Sequence, residues 1–136
     1  MATPAEELAL LGNVKETVKV LGRTFVIKTL DSDEESAARS ASSIFDQDTK
    51  THVLKMEKLA RAIETIDGVG FPVTPEEQSK SITSLQKARV AVFKWHPPVV
   101  RRVYDELDRL EKRREQVIAD LEKNGSAPTT GSTAGK

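Results

Sequence analysis

Apolar residues recur at steps of three and four along residues 51–68, the most regular hydrophobic spacing in the chain. Such spacing lines one face of a helix, and charged residues occupy much of the remaining surface. Asp67-Gly68 follows, and glycine accepts the left-handed conformation in which many helices end. The pattern predicts a central helix over Thr51–Gly68. Its buried face is expected to consist of Val53, Met56, Leu59, Ala60, Ile63 and Ile66.

Alternating apolar and polar residues over 14–30 predict a β-hairpin. Val18 and Val20 flank a lysine, and β-branched residues are frequent in both arms. Gly22-Arg23 is the expected turn, because glycine at the first central position suits a type II′ hairpin. An isolated two-stranded hairpin is only marginally stable in water, so this one needs helices or further strands. Val69–Val73, with its two valines and Phe, is the candidate for a third strand.

The N-terminal residues 1–13 contain a short apolar patch that ends at Gly12. The patch predicts one or two turns of helix, and it consists of Leu8, Leu10 and Leu11. Two interpretations stay open at this point, a frayed arm or an apolar peg that docks on a partner.

A helix-start signature opens the segment 31–45. Ser32 followed by Glu35 forms a capping box, and neighbouring acids favour the positive end of the helix dipole. Residues 31–50 hold six acidic and two basic residues, a local charge of −4 (2 − 6). The Asp-x-Asp spacing at 46–48 does not predict a calcium site, because the glycine and closing glutamate of an EF-hand loop are missing.

Thr74-Pro75-Glu76-Glu77 predicts another helix start, with a threonine cap, a proline in the first turn and glutamate at the box position. Apolar residues at helical spacing extend it as one helix with a buried face of Ile82, Leu85, Ala88, Val92 and Trp95. Lysines recur every seven residues nearly opposite this face, at Lys80, Lys87 and Lys94. His96-Pro97-Pro98 ends the helix, because proline restricts the preceding residue and cannot donate a backbone hydrogen bond.

A last helix is predicted from Pro98 to about Lys123. Its apolar stripe has a heptad-like spacing that Arg114 interrupts, and it consists of Val103, Leu107, Leu110, Val117 and Leu121. Seven acidic and seven basic residues cover the other faces. Such a helix suits either closure of its own domain or contact with a partner helix, and the arginine favours a short contact.

Composition limits the class of protein. The chain has 136 residues, enough for one domain with a modest core. Its formal net charge is zero although 31% of its residues are charged, so no overall attraction to nucleic acid is expected. The absence of cysteine excludes disulfides and thiolate metal sites. There is no signal-like N-terminus and no apolar run of roughly 20 residues, so a protein working inside a cell is expected.

No residue pattern indicates catalysis. Gly68-x-Gly70 lacks the further glycines and the lysine of a phosphate-binding loop. His52, on a helix flank, and His96, in a proline turn, are expected to be structural or solvated. The sequence therefore predicts a non-enzymatic protein that needs no metal and no cofactor.

Residues 78–104 contain no acid. They hold six basic residues with three aromatic residues among them, namely Lys80, Lys87, Arg89, Lys94, Arg101, Arg102, Phe93, Trp95 and Tyr104. That combination suits phosphate contact and base stacking, but it also suits a solvated helix face or an acidic protein partner. The acidic segment 31–50 is an internal or intersubunit counterpart for such a stretch.

The predicted fold is a single α+β domain over 1–123. An N-terminal hairpin, with room for a third short strand, packs on about four helices, of which the last is long and protruding. Residues 124–136 are rich in Gly, Ser, Thr, Ala and Pro, and we expect them to be a flexible tail.

Two stretches carry a family resemblance. Val18–Leu30 combines strand, glycine turn, strand and acidic helix start, and Trp95–Pro98 places a tryptophan before prolines. The chain is similar in layout to the tail assembly chaperones that coat the tape-measure protein of long-tailed phages. This resemblance implies phage tail morphogenesis, either as a chaperone or as a small baseplate or other virion structural subunit. It implies a location in the virion, or in the host cytoplasm during assembly, and it transfers no site residues.

The expected function is therefore protein–protein assembly with other structural proteins and with copies of the chain itself. The residues expected to contact partners are Leu8, Leu11, Trp95, Leu107, Leu110 and Val117. A nucleic-acid-binding module is the alternative, and its contacts would be Lys80, Lys87, Lys94 and Arg101. A third class, a cellular adaptor or toxin–antitoxin-like partner, also stays open.

Overall fold

A computed structural model describes residues 2–124 of the chain as an α+β fold with a three-stranded antiparallel sheet and six helices. The elements are α1 (Pro4–Leu10), β1 (Lys15–Val20), β2 (Arg23–Lys28), α2 (Ser32–Ser42), α3 (Gln47–Ala62), β3 (Ile63–Ile66), α4 (Pro75–Ser79), α5 (Ser84–Phe93) and α6 (Pro97–Asn124). The predicted fold class, the third strand and the long last helix are confirmed. The predicted tail lies outside the described residues except for Asn124, which ends α6.

The hairpin turn lies one residue earlier than the sequence indicates. Val20 pairs with Arg23, so the two turn residues are Leu21 and Gly22. Their φ angles are +54° and +77°. Positive φ at both central residues is the type I′ pattern, whose twist matches that of the flanking strands. The type II′ turn predicted at Gly22-Arg23 is therefore wrong.

The predicted central helix is wrong beyond Ala62. Ile63–Ile66 is a strand that pairs with β2, and it supplies the third strand in place of Val69–Val73. Asp67 and Gly68 have φ angles of +52° and +81° and reverse the chain, so that Val69 forms an isolated bridge with Ile66. The Asp67-Gly68 pair thus ends a strand and not a helix.

The hydrophobic core lies between one face of the sheet and helices α3, α5 and α6. β2 is the central strand and places Phe25 and Ile27 on the core face, because side chains alternate along a strand. The buried apolar side chains that these three helices contribute to the core are Val53, Met56, Leu59, Ala60, Ala62, Ala88, Val92, Val100, Val103, Leu107 and Leu110.

Helix starts follow local capping chemistry. The predicted box of α4 is present, with Thr74 and Glu77 bonded reciprocally. The box of α2 is formed by Asp31 and Glu34, one residue before the predicted pair of Ser32 and Glu35. An aspartate cap one position earlier serves the same purpose, because its carboxylate accepts from the exposed backbone N–H of Glu34.

The helix expected to run from Thr74 to Trp95 is divided in two. α4 ends after one turn because Ser81 adopts φ +63° and the backbone N–H of Ile82 donates to the carbonyl oxygen of Glu77 at 3.0 Å. α5 then starts from a second capping box, formed by Thr83 and Gln86. The spacing of Thr83 and Gln86 is a sequence signal for this boundary.

Ion pairs fasten α6 to the rest of the domain. Lys58 Nζ of α3 lies 2.8 Å from Glu111 Oε2, and both side chains are largely buried. Burial lowers the pKa of Lys58, but the contact with Glu111 outweighs it, so the pKa of this lysine is raised. Arg114 donates to the carbonyl oxygen of Leu30 at 3.0 Å and lies 3.4 Å from Glu35. Arg114 therefore ties α6 to the start of α2.

Candidate docking surface

Two residues expected to contact a partner from α6 belong to the core of the chain. Leu107 and Leu110 are completely buried among β2, α3 and α6 residues. The prediction that they form a partner-contact stripe is wrong for the folded chain, because no surface of either residue is accessible. Val117, further along α6, is half-buried and keeps part of its surface. Among the described residues of α6, none beyond Leu110 is buried.

Trp95 is directed toward the core. It is half-buried, and its ring meets that of Phe25 edge to face, with centroids 6.3 Å apart and planes at 88°. An edge-to-face pair at this distance stabilises packing between elements. Trp95 therefore anchors the end of α5 to the sheet, and only part of its surface faces outward.

Most of the large apolar side chains that are exposed in the described chain lie in three regions, while Leu21 and Val69 are exposed singly. α1 and the residue after it contribute Leu8 and Leu11, as predicted from the sequence, together with Leu10. The connection between α2 and α3 exposes Ile44 and Phe45. α5 contributes the third set, which comprises Leu85, Val90 and Phe93.

An open groove of about 680 Å³ lies between α4 and α5. We call it the α4–α5 groove, and its lining residues are Glu77, Ile82, Gln86, Lys87, Arg89, Val90 and Phe93. Val90 is 57% exposed and Phe93 39% exposed. Gln86, Val90 and Phe93 are spaced four and three residues apart, so they share the outer face of α5. Because Ala88 and Val92 are buried on the inner side, α5 is apolar on two faces.

An ion pair holds the two walls of the groove together. Lys87 of α5 donates to Glu77 of α4 at 2.8 Å. The hydrogen bond from Lys87, with help from the backbone of Thr74, lowers the pKa of Glu77 to about 2. This carboxylate is therefore charged at any physiological pH, and the pair keeps the short α4 beside α5.

A buried carboxylate fixes the orientation of α5 on α3. Glu57 is 1% exposed and accepts hydrogen bonds from Nε and Nη2 of Arg89, at 2.8 Å and 2.7 Å. Arg61 donates to the same carboxylate at 2.8 Å. Burial raises the pKa of Glu57, but the hydrogen bonds from Arg89 and Arg61 outweigh it, so the pKa is lowered. The bidentate contact restrains rotation of α5 and thereby determines which of its faces points outward.

The four basic residues of the nucleic-acid alternative do not form one stripe. Lys80 caps the end of α4 and lies 3.5 Å from Glu76, and Lys87 is paired with Glu77. Lys94 and Arg101 are exposed, and neither forms an ion pair within residues 2–124. The break between α4 and α5 separates Lys80 from Lys87 of α5, Lys94 follows the end of α5, and Arg101 lies on α6.

The three aromatic residues of the acid-free stretch are engaged inside the chain. The Arg89 guanidinium lies 5.8 Å from the Phe93 ring centroid, and Trp95 meets Phe25. Lys55 and Lys58 lie 5.4 Å and 5.7 Å from the centroid of Tyr104. These cation–π and aromatic contacts leave less ring surface for stacking on bases.

The described part of the chain contains no group of three or more His, Asp or Glu side chains arranged to hold a metal ion. His52 is half-buried and His96 is exposed. Among residues 2–124, no helix combines the length and the apolar character that crossing a bilayer requires.

Sequence reasoning missed Val90 as a surface residue. The sequence does contain a signal for it, since Val90 and Phe93 are three residues apart on a helix whose other face is already apolar.

Comparison with protein-family models, curated proteins and solved structures found no match to this chain.

Proposed function

We propose that this protein is a non-enzymatic assembly component that docks a helical segment of a partner protein in the α4–α5 groove. The observation that carries the proposal is the second apolar face of α5. Val90 and Phe93 stand exposed over an open groove while Ala88 and Val92 fill the core. A groove of this kind is the usual receptor for the apolar face of an amphipathic helix.

The exposed area sets the strength that the groove alone can supply. Full burial of a valine or phenylalanine contributes about 1.5–3 kcal/mol, so covering the exposed parts of Val90 and Phe93 contributes about 2 kcal/mol. Association costs at least about 4 kcal/mol in lost translational and rotational freedom. A partner must therefore bring apolar side chains and complementary charges of its own.

The charge around the groove favours an acidic partner. Lys87 and Arg89 line it, but they are paired with Glu77 and Glu57. Lys94, which follows Phe93 directly, is exposed and forms no ion pair among the described residues. A partner with acids beside its apolar face could pair with Lys94, since electrostatic complementarity selects partners. The contact of Trp95 with Phe25 and those of Tyr104 with Lys55 and Lys58 support a protein partner over nucleic acid, because they occupy rings that base stacking would use.

The setting that we propose for this assembly is the morphogenesis of a phage tail or baseplate. Support for it comes from the layout of Val18–Leu30 and Trp95–Pro98, which is similar to that of tail assembly chaperones. In that setting, the docked segment belongs to another tail protein or to a further copy of the chain.

A calorimetric titration tests the proposed function. The chain is titrated with a designed amphipathic helical peptide that carries glutamates beside a leucine stripe, and with a matched peptide that carries lysines instead. We expect binding of the acidic peptide with a negative heat-capacity change, the mark of apolar burial, and weaker binding of the basic one. Val90→Glu should abolish binding, whereas Val69→Glu should not, because Val69 is similarly exposed at 60% but lies outside the groove.

A single-stranded oligonucleotide, titrated at low salt, tests the alternative function. No binding is expected. Binding that weakens steeply with salt, together with no binding of either peptide, would overturn the proposed function in favour of a nucleic-acid-binding module.

A further inference from the structure

The N-terminal helix exposes an apolar and acidic surface. None of the residues of α1 is buried, and Leu8, Leu10 and Leu11 are 66%, 64% and 46% exposed. Its first turn carries Glu6 and Glu7, and residues 2–13 contain no basic residue. We call residues 2–11 the N-terminal arm. Covering apolar side chains of this size lowers the free energy of the system, so the arm is suited to docking on another surface.

The arm is attached to its own domain through a tight contact at its base. A Cβ placed on Gly12 would lie 2.9 Å from Arg114 Cγ and 3.4 Å from Ile118 Cδ1, and the φ angle of this glycine is +80°. Leu10 and Leu11 border a cavity that Leu30 and Arg114 also line. That cavity and the α4–α5 groove share no lining residue, so the arm of a chain does not occupy its own groove in this conformation.

The arm and the groove are complementary in chemistry. The groove offers apolar surface from Ile82, Val90 and Phe93, and its charged lining residues are two bases, Lys87 and Arg89, and one acid, Glu77. The exposed Lys94 follows Phe93 directly. The arm offers leucines, and two acids, Glu6 and Glu7, directly precede the first of them. Val90 and Phe93 lie about one turn apart on α5. The arm likewise presents two exposed leucines, Leu8 from α1 and Leu11 from the extended residue that follows it.

We propose that the α4–α5 groove takes the N-terminal arm of a second copy of this chain. This inference rests on the proposed function and names the partner of the same groove. Arm and groove are different surfaces, so the contact is heterologous, and each copy can both give an arm and receive one. Such contacts propagate head to tail, into a ring where the rotation closes and into a filament where it does not.

Two variants that each remove one side of the contact test the inference. Leu8→Glu places a charge in the arm, and Val90→Glu places one in the groove, where it also repels Glu6 and Glu7. The mass of each protein is measured over a range of concentrations by sedimentation. We expect the mass of the wild-type chain to rise with concentration. Each variant should stay monomeric to concentrations at least about tenfold higher, since tenfold corresponds to about 1.4 kcal/mol.

An equimolar mixture of the two variants gives the sharper result. The Val90→Glu copy keeps an intact arm and the Leu8→Glu copy keeps an intact groove, so the mixture should form a dimer with one copy of each and nothing larger. Val69→Glu, the matched control, should assemble as the wild type does. All substituted residues are exposed, and near-wild-type circular dichroism and unfolding midpoints verify that the variants fold.

The outcomes separate this inference from the proposed function. A wild-type chain that stays monomeric yet binds the acidic helical peptide overturns the second copy as the occupant and leaves the proposed function standing. A mixture that forms no dimer also overturns the inference. A chain that assembles equally well with Val90→Glu, and binds no peptide, overturns both.

Discussion

Neutralising Glu57 should loosen α5 from α3. The carboxylate is 1% exposed and accepts three hydrogen bonds, two from Arg89 and one from Arg61. Arg61 is the more sensitive partner, since its side chain is 9% exposed whereas that of Arg89 is 40% exposed. Glu57→Gln keeps the shape of the side chain but removes its charge and half of its acceptor capacity.

The expected loss of stability follows from these exposures. Breaking a buried ion pair costs about 3–5 kcal/mol, because the remaining charge stays buried without a partner. Arg89 can turn toward water and contributes little, so the low end applies, at about 3 kcal/mol. For a domain of this size, that loss corresponds to a decrease in Tm of about 10 °C.

Urea unfolding of wild type and Glu57→Gln, followed by circular dichroism, measures this loss. Glu76→Gln is the control, since Glu76 and Lys80 form an exposed pair at 3.5 Å that should contribute no more than about 0.5 kcal/mol. Combining Glu57→Gln with Arg89→Gln should cost less than the sum of the two single changes. A loss below about 1 kcal/mol for Glu57→Gln would refute the reasoning that this carboxylate fastens α5.

Three further predictions concern the hairpin turn, the loss of stability at low pH and the base of the N-terminal arm. Leu21→Asn should raise the free energy of unfolding by about 1 kcal/mol, because asparagine tolerates the left-handed conformation that Leu21 adopts at φ +54°. Thermal melts check this prediction, with Leu21→Val as the control that should not stabilise the chain. The pKa of Glu77 lies at about 2, below its unfolded value of 4.5, so its stabilisation is present above about pH 4.5 and lost as pH falls toward 2. Urea titrations across that window should show a shallower acid loss in Lys87→Met, and an unchanged profile would contradict the assignment. Gly12→Ala should destabilise the chain by about 1–2 kcal/mol, because its Cβ meets Arg114 and its φ is +80°, and a melt like that of wild type would show that the base of the arm is loose.

The helix starts could be predicted because capping depends on residues close together in the sequence, whereas the strand pairing could not be predicted. Thr74 and Glu77 interact within one turn, so their capping box is visible in the sequence. Ile63 and Ile66 fit a helical face and a strand equally well. They form a strand because they pair with β2, whose residues are far away in the sequence. Spacing is a local property and carries no record of that distant partner.

The candidate site was predictable in part. The exposure of Leu8 and Leu11 agrees with the apolar patch seen in the sequence. Leu107 and Leu110 show why the other partner-contact residues could not be predicted. Core residues and partner-contact residues have the same spacing on a helix, so the sequence does not distinguish them. The sheet and α3 already cover that stripe of α6. The exposed apolar face of α5 was missed, because the break near Ser81 divides one expected helix into the two walls of a groove.

Amide hydrogen exchange on α5 tests the central claim most directly, which is that its outer face is a protein-docking surface. Exchange is measured by mass spectrometry on peptides spanning 84–93, at rising concentrations of the chain and with the acidic helical peptide added. Our account predicts slower exchange in this segment under at least the second condition, with residues 32–42 of α2 unchanged as the internal reference. Exchange in 84–93 that stays the same under both conditions would contradict it.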